Sequence, residues 1–128
     1  MPKWEEYKAQ ARERGALAWE LFVVSSVPGD DMDLVKATLP AHLAYQKELE
    51  AAGVLVMAGP VSDASGEMME AEGMVIYRAE SLEAARAIAD RDPMHEAGAR
   101  SYTVRKWLVN EGSLSLTISL SAQGAAIT

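Results

Sequence analysis

Residues 17–27 read Leu-Ala-Trp-Glu-Leu-Phe-Val-Val-Ser-Ser-Val, and the fold turns on this stretch. It is rich in β-branched and aromatic residues and runs into Pro28-Gly29, which marks a strand followed by a turn. A sheet covered by helices on one face alone should alternate apolar and polar residues along each strand. Here Leu17, Trp19, Leu21 and Val23 interleave with Ala18, Phe22 and Val24, and only Glu20 dissents. Further along, Val75 and Tyr77 interleave in the same way with Met74 and Ile76. Both faces of the sheet therefore need cover. Face-to-face packing with a second subunit is the economical source of it.

Working outward, Trp4 to Arg14 has helix-forming composition and stops at Gly15, which predicts a short leading helix. After the strand, Asp30, Asp31 and Asp33 crowd a helix start, where carboxylates favour the positive end of the dipole. Leu34 to Ala52 is helical in composition and closes at Gly53, but Pro40 interrupts it. The principal helix is expected to run from Pro40 to Ala52, with the preceding turns kinked away. Val54–Val61 and Met74–Ala79 read as strands that pair antiparallel across a polar loop. Ser81 caps a helix that buries Ala84, Ala85, Ile88 and Ala89 and ends before Asp92-Pro93. A short helix over Pro93–Ala97 stops at Gly98, and Ser101–Val109 is the last core strand. The order β-α-β-β-α-β is that of an α+β, ferredoxin-like subunit. In Ser113–Ser121, Leu114, Leu116, Ile118 and Leu120 alternate with polar residues, a strong strand pattern. This strand could fold back on Ser101–Val109 through Asn110-Glu111-Gly112 or cross to a partner's sheet, and crossing is the favoured expectation. The chain thus divides into a helical extension (1–16), a main domain (17–112) and a strand-bearing tail (113–128).

The chain has 128 residues, enough for one domain, and 49% of them are apolar. Its 12 basic residues stand against 19 acidic ones, for a net charge of -7, and the basic residues are scattered. Nucleic acid is a poor partner for that balance. No cysteine is present, which removes disulfides, thiolate nucleophiles and zinc ribbons together. The opening Met1-Pro2-Lys3-Trp4-Glu5-Glu6 carries acids where a signal peptide needs a basic region, and no run reads as a membrane span. A soluble, cytoplasmic protein is expected.

Chemistry-bearing motifs are few. No nucleophile elbow, phosphate loop or dinucleotide fingerprint occurs. Asp63-Ala64-Ser65-Gly66 reads as turn chemistry rather than a calcium loop. The two histidines, His42 and His95, have no metal-site spacing around them, and neither a metal nor a cofactor is expected. If the helix starts at Pro40, His42 sits near its positive dipole end, which favours a neutral imidazole able to act as a general base. The plainer reading is a histidine packed beside Leu39 and Leu43, and on residues alone that reading is preferred. Asp92 before Pro93 is a natural cap of the short helix, yet it also ends the preceding helix, where it could orient an imidazole.

Leu39-Pro40-Ala41-His42-Leu43-Ala44, Ala58-Gly59-Pro60, Ser81-Leu82-Glu83-Ala84-Ala85, Ala89-Asp90-Arg91-Asp92-Pro93 and Ala97-Gly98 occur in order. Over about Leu21 to Leu108 the pattern resembles the YCII (YciI-like) family. That resemblance implies a dimeric α+β barrel of ferredoxin-like subunits. It also implies an active site built from His42 and Asp92, with Gly59 and Pro60 beside the ligand, and it reverses the preference for a merely packed His42. The expected activity is cofactor-free proton transfer, an elimination or isomerisation on a small cyclic oxygenated compound. The alternative is a non-catalytic pocket that binds or senses a small ligand. His95 falls where the family fixes no residue, and the resemblance implies nothing for it.

Overall fold

The double-sided apolar pattern of residues 17–27 becomes β1 (Trp19–Pro28) in the computed structural model, which describes residues 1–128. It is followed by α2 (Met32–Ala51), β2 (Leu55–Val61), β3 (Glu72–Tyr77), α3 (Leu82–Asp90), a single-turn α4 (Pro93–Glu96) and β4 (Arg100–Val109), while α1 (Trp4–Glu13) precedes them. The four strands form one sheet in the order β2-β3-β1-β4, and β3 pairs antiparallel with both neighbours for which register is resolved. This is the ferredoxin-like arrangement expected from the element order.

The helix-covered face of the sheet presents Phe22, Val24, Val75 and Tyr77. They pack against Leu49 of α2 and Ala85 and Ala89 of α3. Alanine at both α3 positions lets that helix lie close over the bulky Phe22 and Tyr77, each fully buried. Ser81 caps α3 by accepting the Ala84 N–H at 3.0 Å, and Asp31 caps α2 by accepting the Leu34 N–H at 3.0 Å. Gly53 ends α2 at φ 75°, a left-handed conformation that glycine adopts without steric cost. On the other face Leu21 and Ile76 are buried, whereas Met57, Met74 and Trp107 remain exposed.

Two expectations are corrected. Pro40 neither starts nor breaks the helix: α2 is continuous through it. Proline removes the N–H that would reach the Lys36 carbonyl, but Lys36 and Pro40 lie on the exposed side, where water can take that carbonyl. His42 therefore sits mid-helix, and the dipole argument for its neutral form lapses. The tail does not fold back on Ser101–Val109 within the chain. Its strand β5 (Leu116–Ser119) pairs with β6 (Gly124–Ile127) in a two-stranded sheet of its own.

Glu20–Leu108 forms one compact unit, and Met1–Trp19 together with Val109–Thr128 forms another. In the second unit, Glu6 accepts the Lys3 N–H at the start of α1, and the Leu17 N–H donates to the Asn110 carbonyl. Leu114, Leu116, Ile118, Leu120 and Ile127 all remain exposed. No helix is long and apolar enough to cross a membrane.

Candidate active site

Val35, Leu39, His42, Gln46 and Leu49 recur at the three- and four-residue spacing that places side chains on one face of α2. Val35 near one end packs with Met94 of α4 and with Ala99, and Leu49 near the other joins the main core. These anchors hold α4 against the middle of the stripe and bring Asp92 to His42. His42 Nδ1 lies 2.9 Å from each carboxylate oxygen of Asp92. Asp92 is 1% exposed, and its Oδ1 also accepts the Met94 N–H at 3.0 Å as the cap of α4. An ionised carboxylate only accepts, so the Nδ1 of His42 carries the proton and donates. With Nδ1 donating, a neutral form of the ring has its lone pair on Nε2, which has no protein partner.

His42 and Asp92 line an open cavity of about 770 Å³ beneath α2, enough for a small molecule. Gly59 and Pro60 of β2 lie in its wall, and both are exposed. Much of the lining is apolar, with Met32, Val35, Leu39, Leu43 and Leu55 among it. No group of three or more His, Asp or Glu side chains is placed to hold a metal ion. Asp63 instead organises its own loop, its Oδ1 accepting from Ser65 Oγ and from the Gly66 and Met68 N–H groups. These bonds hold its carboxyl below the usual range, and the turn reading of that loop stands.

Of the further polar residues that line the cavity, among them Lys36, Gln46, Glu50 and Glu72, three join in one hydrogen-bonded network that sequence reasoning did not assign: Ser26, His95 and Arg100. His95 Nδ1 donates to the Ala89 carbonyl at 2.7 Å, so its neutral Nε2 accepts from Ser26 Oγ at 2.8 Å. Ser26 Oγ accepts in turn from Arg100 Nε at 2.9 Å, and Arg100 Nη2 donates to the carbonyls of Ser26, at 2.7 Å, and Ala71. Ala71 is held in a left-handed conformation at φ 63°, unusual for a residue with a Cβ. Tyr102 braces this side: its ring lies 4.6 Å from that of His95, and its hydroxyl donates to Asp90 at 2.5 Å. The only local signal for the network was polar residues on otherwise apolar strands, which names no partner across 69 or 74 residues of sequence.

A family profile for the YCII-related domain matches residues 21–108. The uncharacterized protein YjpA of Bacillus subtilis (strain 168) is 35% identical over 66 residues, 52% of this chain and 71% of that protein. Among solved structures, 5-chloro-2-hydroxyhydroquinone dehydrochlorinase (TftG) from Burkholderia phenoliruptrix AC1100, in complex with 2,5-dihydroxybenzoquinone, is similar with a TM-score of 0.56. The two are 25% identical, and the match covers 68% of this chain and 92% of that one.

Proposed function

The chain belongs to the YCII-related domain family, and on that premise we propose that it is a cofactor-free enzyme that moves a proton on a small, cyclic, oxygenated compound. The observation that carries this reading is the His42–Asp92 pair, 2.9 Å apart, with Nε2 left unpartnered on a ligand-sized cavity. The structural neighbour supports the substrate class, since its name describes a dehydrochlorinase of a hydroxylated ring and its structure holds a dihydroxyquinone.

In the proposed step, Nε2 of His42 takes a proton from a ring C–H or O–H. The electron pair left behind either expels a substituent on a nearby carbon, which is elimination, or is reprotonated elsewhere, which is isomerisation. Asp92 keeps the imidazole in the reactive tautomer and stabilises the imidazolium that forms, without itself taking the proton. Gly59 and Pro60 form the wall against which the ring lies, where the glycine leaves open space. The working unit is a cytoplasmic homodimer of the α+β-barrel type, supported by the exposed Met57, Met74 and Trp107 on the sheet face away from the core helices.

Chloride release from 5-chloro-2-hydroxyhydroquinone tests the reading directly. Wild type should release chloride, and His42→Gln should lose about 10²-fold or more of that rate. Binding of the compound without turnover would leave a ligand-binding or sensing pocket. Equal rates in wild type and variant would refute His42 as the base. Light scattering tests the dimer, which a stable 13.8 kDa species at micromolar concentration would exclude.

A further inference from the structure

Arg100 brings a guanidinium to the cavity without a direct ion-pair partner, although Glu50, Glu72 and Asp92 line the same cavity. Arg100 donates through Nε and Nη2 to three neutral oxygens, those of the Ser26 side chain, the Ser26 carbonyl and the Ala71 carbonyl. No carboxylate pairs with it, and its Nη1 has no protein partner. The group is half-buried in a chain of net charge -7, where a surface arginine would readily find an acid. Burial lowers its pKa, an effect the negative Asp92 partly opposes, yet guanidinium remains charged at neutral pH.

Its orientation is fixed from behind. The Ala89 carbonyl sets the His95 tautomer, His95 takes the Ser26 proton, and Ser26 thereby turns its lone pairs to Arg100. This preorganisation leaves one edge of a planar donor available to a ligand oxygen.

We propose that Arg100 is the specificity-determining residue of this cavity, selecting a hydroxylated ring that carries an anionic oxygen and holding that oxygen at Nη1. The inference rests on the reading of the cavity as a ligand site, but not on His42 being a base. The anionic oxygen is an ionised enol or a carboxylate; both present the same chemistry to a guanidinium.

Calorimetric titration of the full chain with three probes tests it: 2,5-dihydroxybenzoquinone as the ionised enol, salicylate as the carboxylate, and hydroquinone as the neutral ring of similar size. Wild type should bind at least one anion about tenfold or more tightly than hydroquinone, and which anion binds identifies the source. Arg100→Gln should weaken that anion about ten- to hundredfold and leave hydroquinone unchanged. Arg100→Lys should keep part of the preference, since it keeps charge but not the fork. If Arg100→Gln does not fold, Ser26→Ala carries the test: it retains the guanidinium but frees its orientation and should cost the anion severalfold. A wild type without anion preference, or an Arg100→Gln chain that keeps it, overturns the proposal. His42→Gln separates the two readings, because it should abolish chloride release while preserving anion preference. Loss of turnover in wild type with the preference intact would sink proton transfer alone.

Discussion

Replacing Asp92 by Asn changes one atom of a side chain that is 1% exposed, and the consequences can be worked out bond by bond. The retained Oδ1 still accepts the Met94 N–H, so α4 keeps its cap. The other oxygen, as close to His42 Nδ1 as Oδ1 at 2.9 Å, becomes an NH2 group, so an Nδ1–H would face a donor and share its one remaining acceptor, Oδ1, with the Met94 N–H. The imidazole resolves this by giving up its Nδ1 proton and carrying one on Nε2, which removes the lone pair from the cavity. A charge-assisted hydrogen bond has become a neutral one, worth about 1 kcal/mol less, a shift of a few degrees in Tm. Turnover should fall far more, by about 10²–10⁴-fold, because the base is in the wrong tautomer. Asp92→Ala should instead cost about 2–4 kcal/mol, from the lost cap and the orphaned imidazole N–H together. Long-range ¹H–¹⁵N NMR distinguishes the protonated from the unprotonated ring nitrogen and reads the tautomer without any substrate. If wild-type His42 carries its proton on Nε2, or if the Asn chain keeps the Nδ1–H form and full turnover, the reasoning is refuted.

Pro40→Ala restores the N–H that reaches the Lys36 carbonyl within α2, and it should stabilise the protein by about 1–2 kcal/mol in urea unfolding after the gain in unfolded-state entropy is subtracted; an unchanged midpoint would show that the helix has already absorbed the defect. Burial, and then its bond to Asp90, pushes the Tyr102 hydroxyl up to about 12. The unfolded chain therefore releases this proton first, so stability contributed below pH 10 should drain away between about 10 and 12. Tyr102→Phe should flatten that part of the alkaline melting profile, and an identical profile would exclude the assignment. Truncation after Glu111 removes exposed Leu114, Leu116, Ile118 and Leu120 and should reduce aggregation on heating, followed by light scattering, while the melt of the Glu20–Leu108 unit stays in place.

The sheet and its helices were legible because their signals are local. The β-branched and aromatic run of residues 17–27, the Ser81 cap and the Asp92-Pro93 stop each act within a few residues, and each lies in the structure within a residue or two of its expected place. Pro40 misled because a helix that is anchored at Val35 and Leu49 outweighs one missing hydrogen bond on its wet side. His42 and Asp92 stood out by resemblance, whereas their distance is set by Met94 seating α4 on α2, which no local pattern encodes. Ser26, His95 and Arg100 were invisible for the same reason, since each is an ordinary polar residue until the strands bring it beside the others.

The cavity's two polar networks share no side chain. His42 and Asp92 hang from α2 and the start of α4, whereas Arg100 and Ser26 belong to β4 and β1, with His95 behind them. Exchange of Arg100 or Ser26 therefore leaves the His42–Asp92 bonds in place, whereas His95 stands on α4 with its N–H on the Asp92 carbonyl at 2.9 Å. On the functional reading proposed above, exchange of Arg100 would change what the cavity recognises while leaving the His42–Asp92 pair intact, so recognition and proton transfer would be carried by separate side chains.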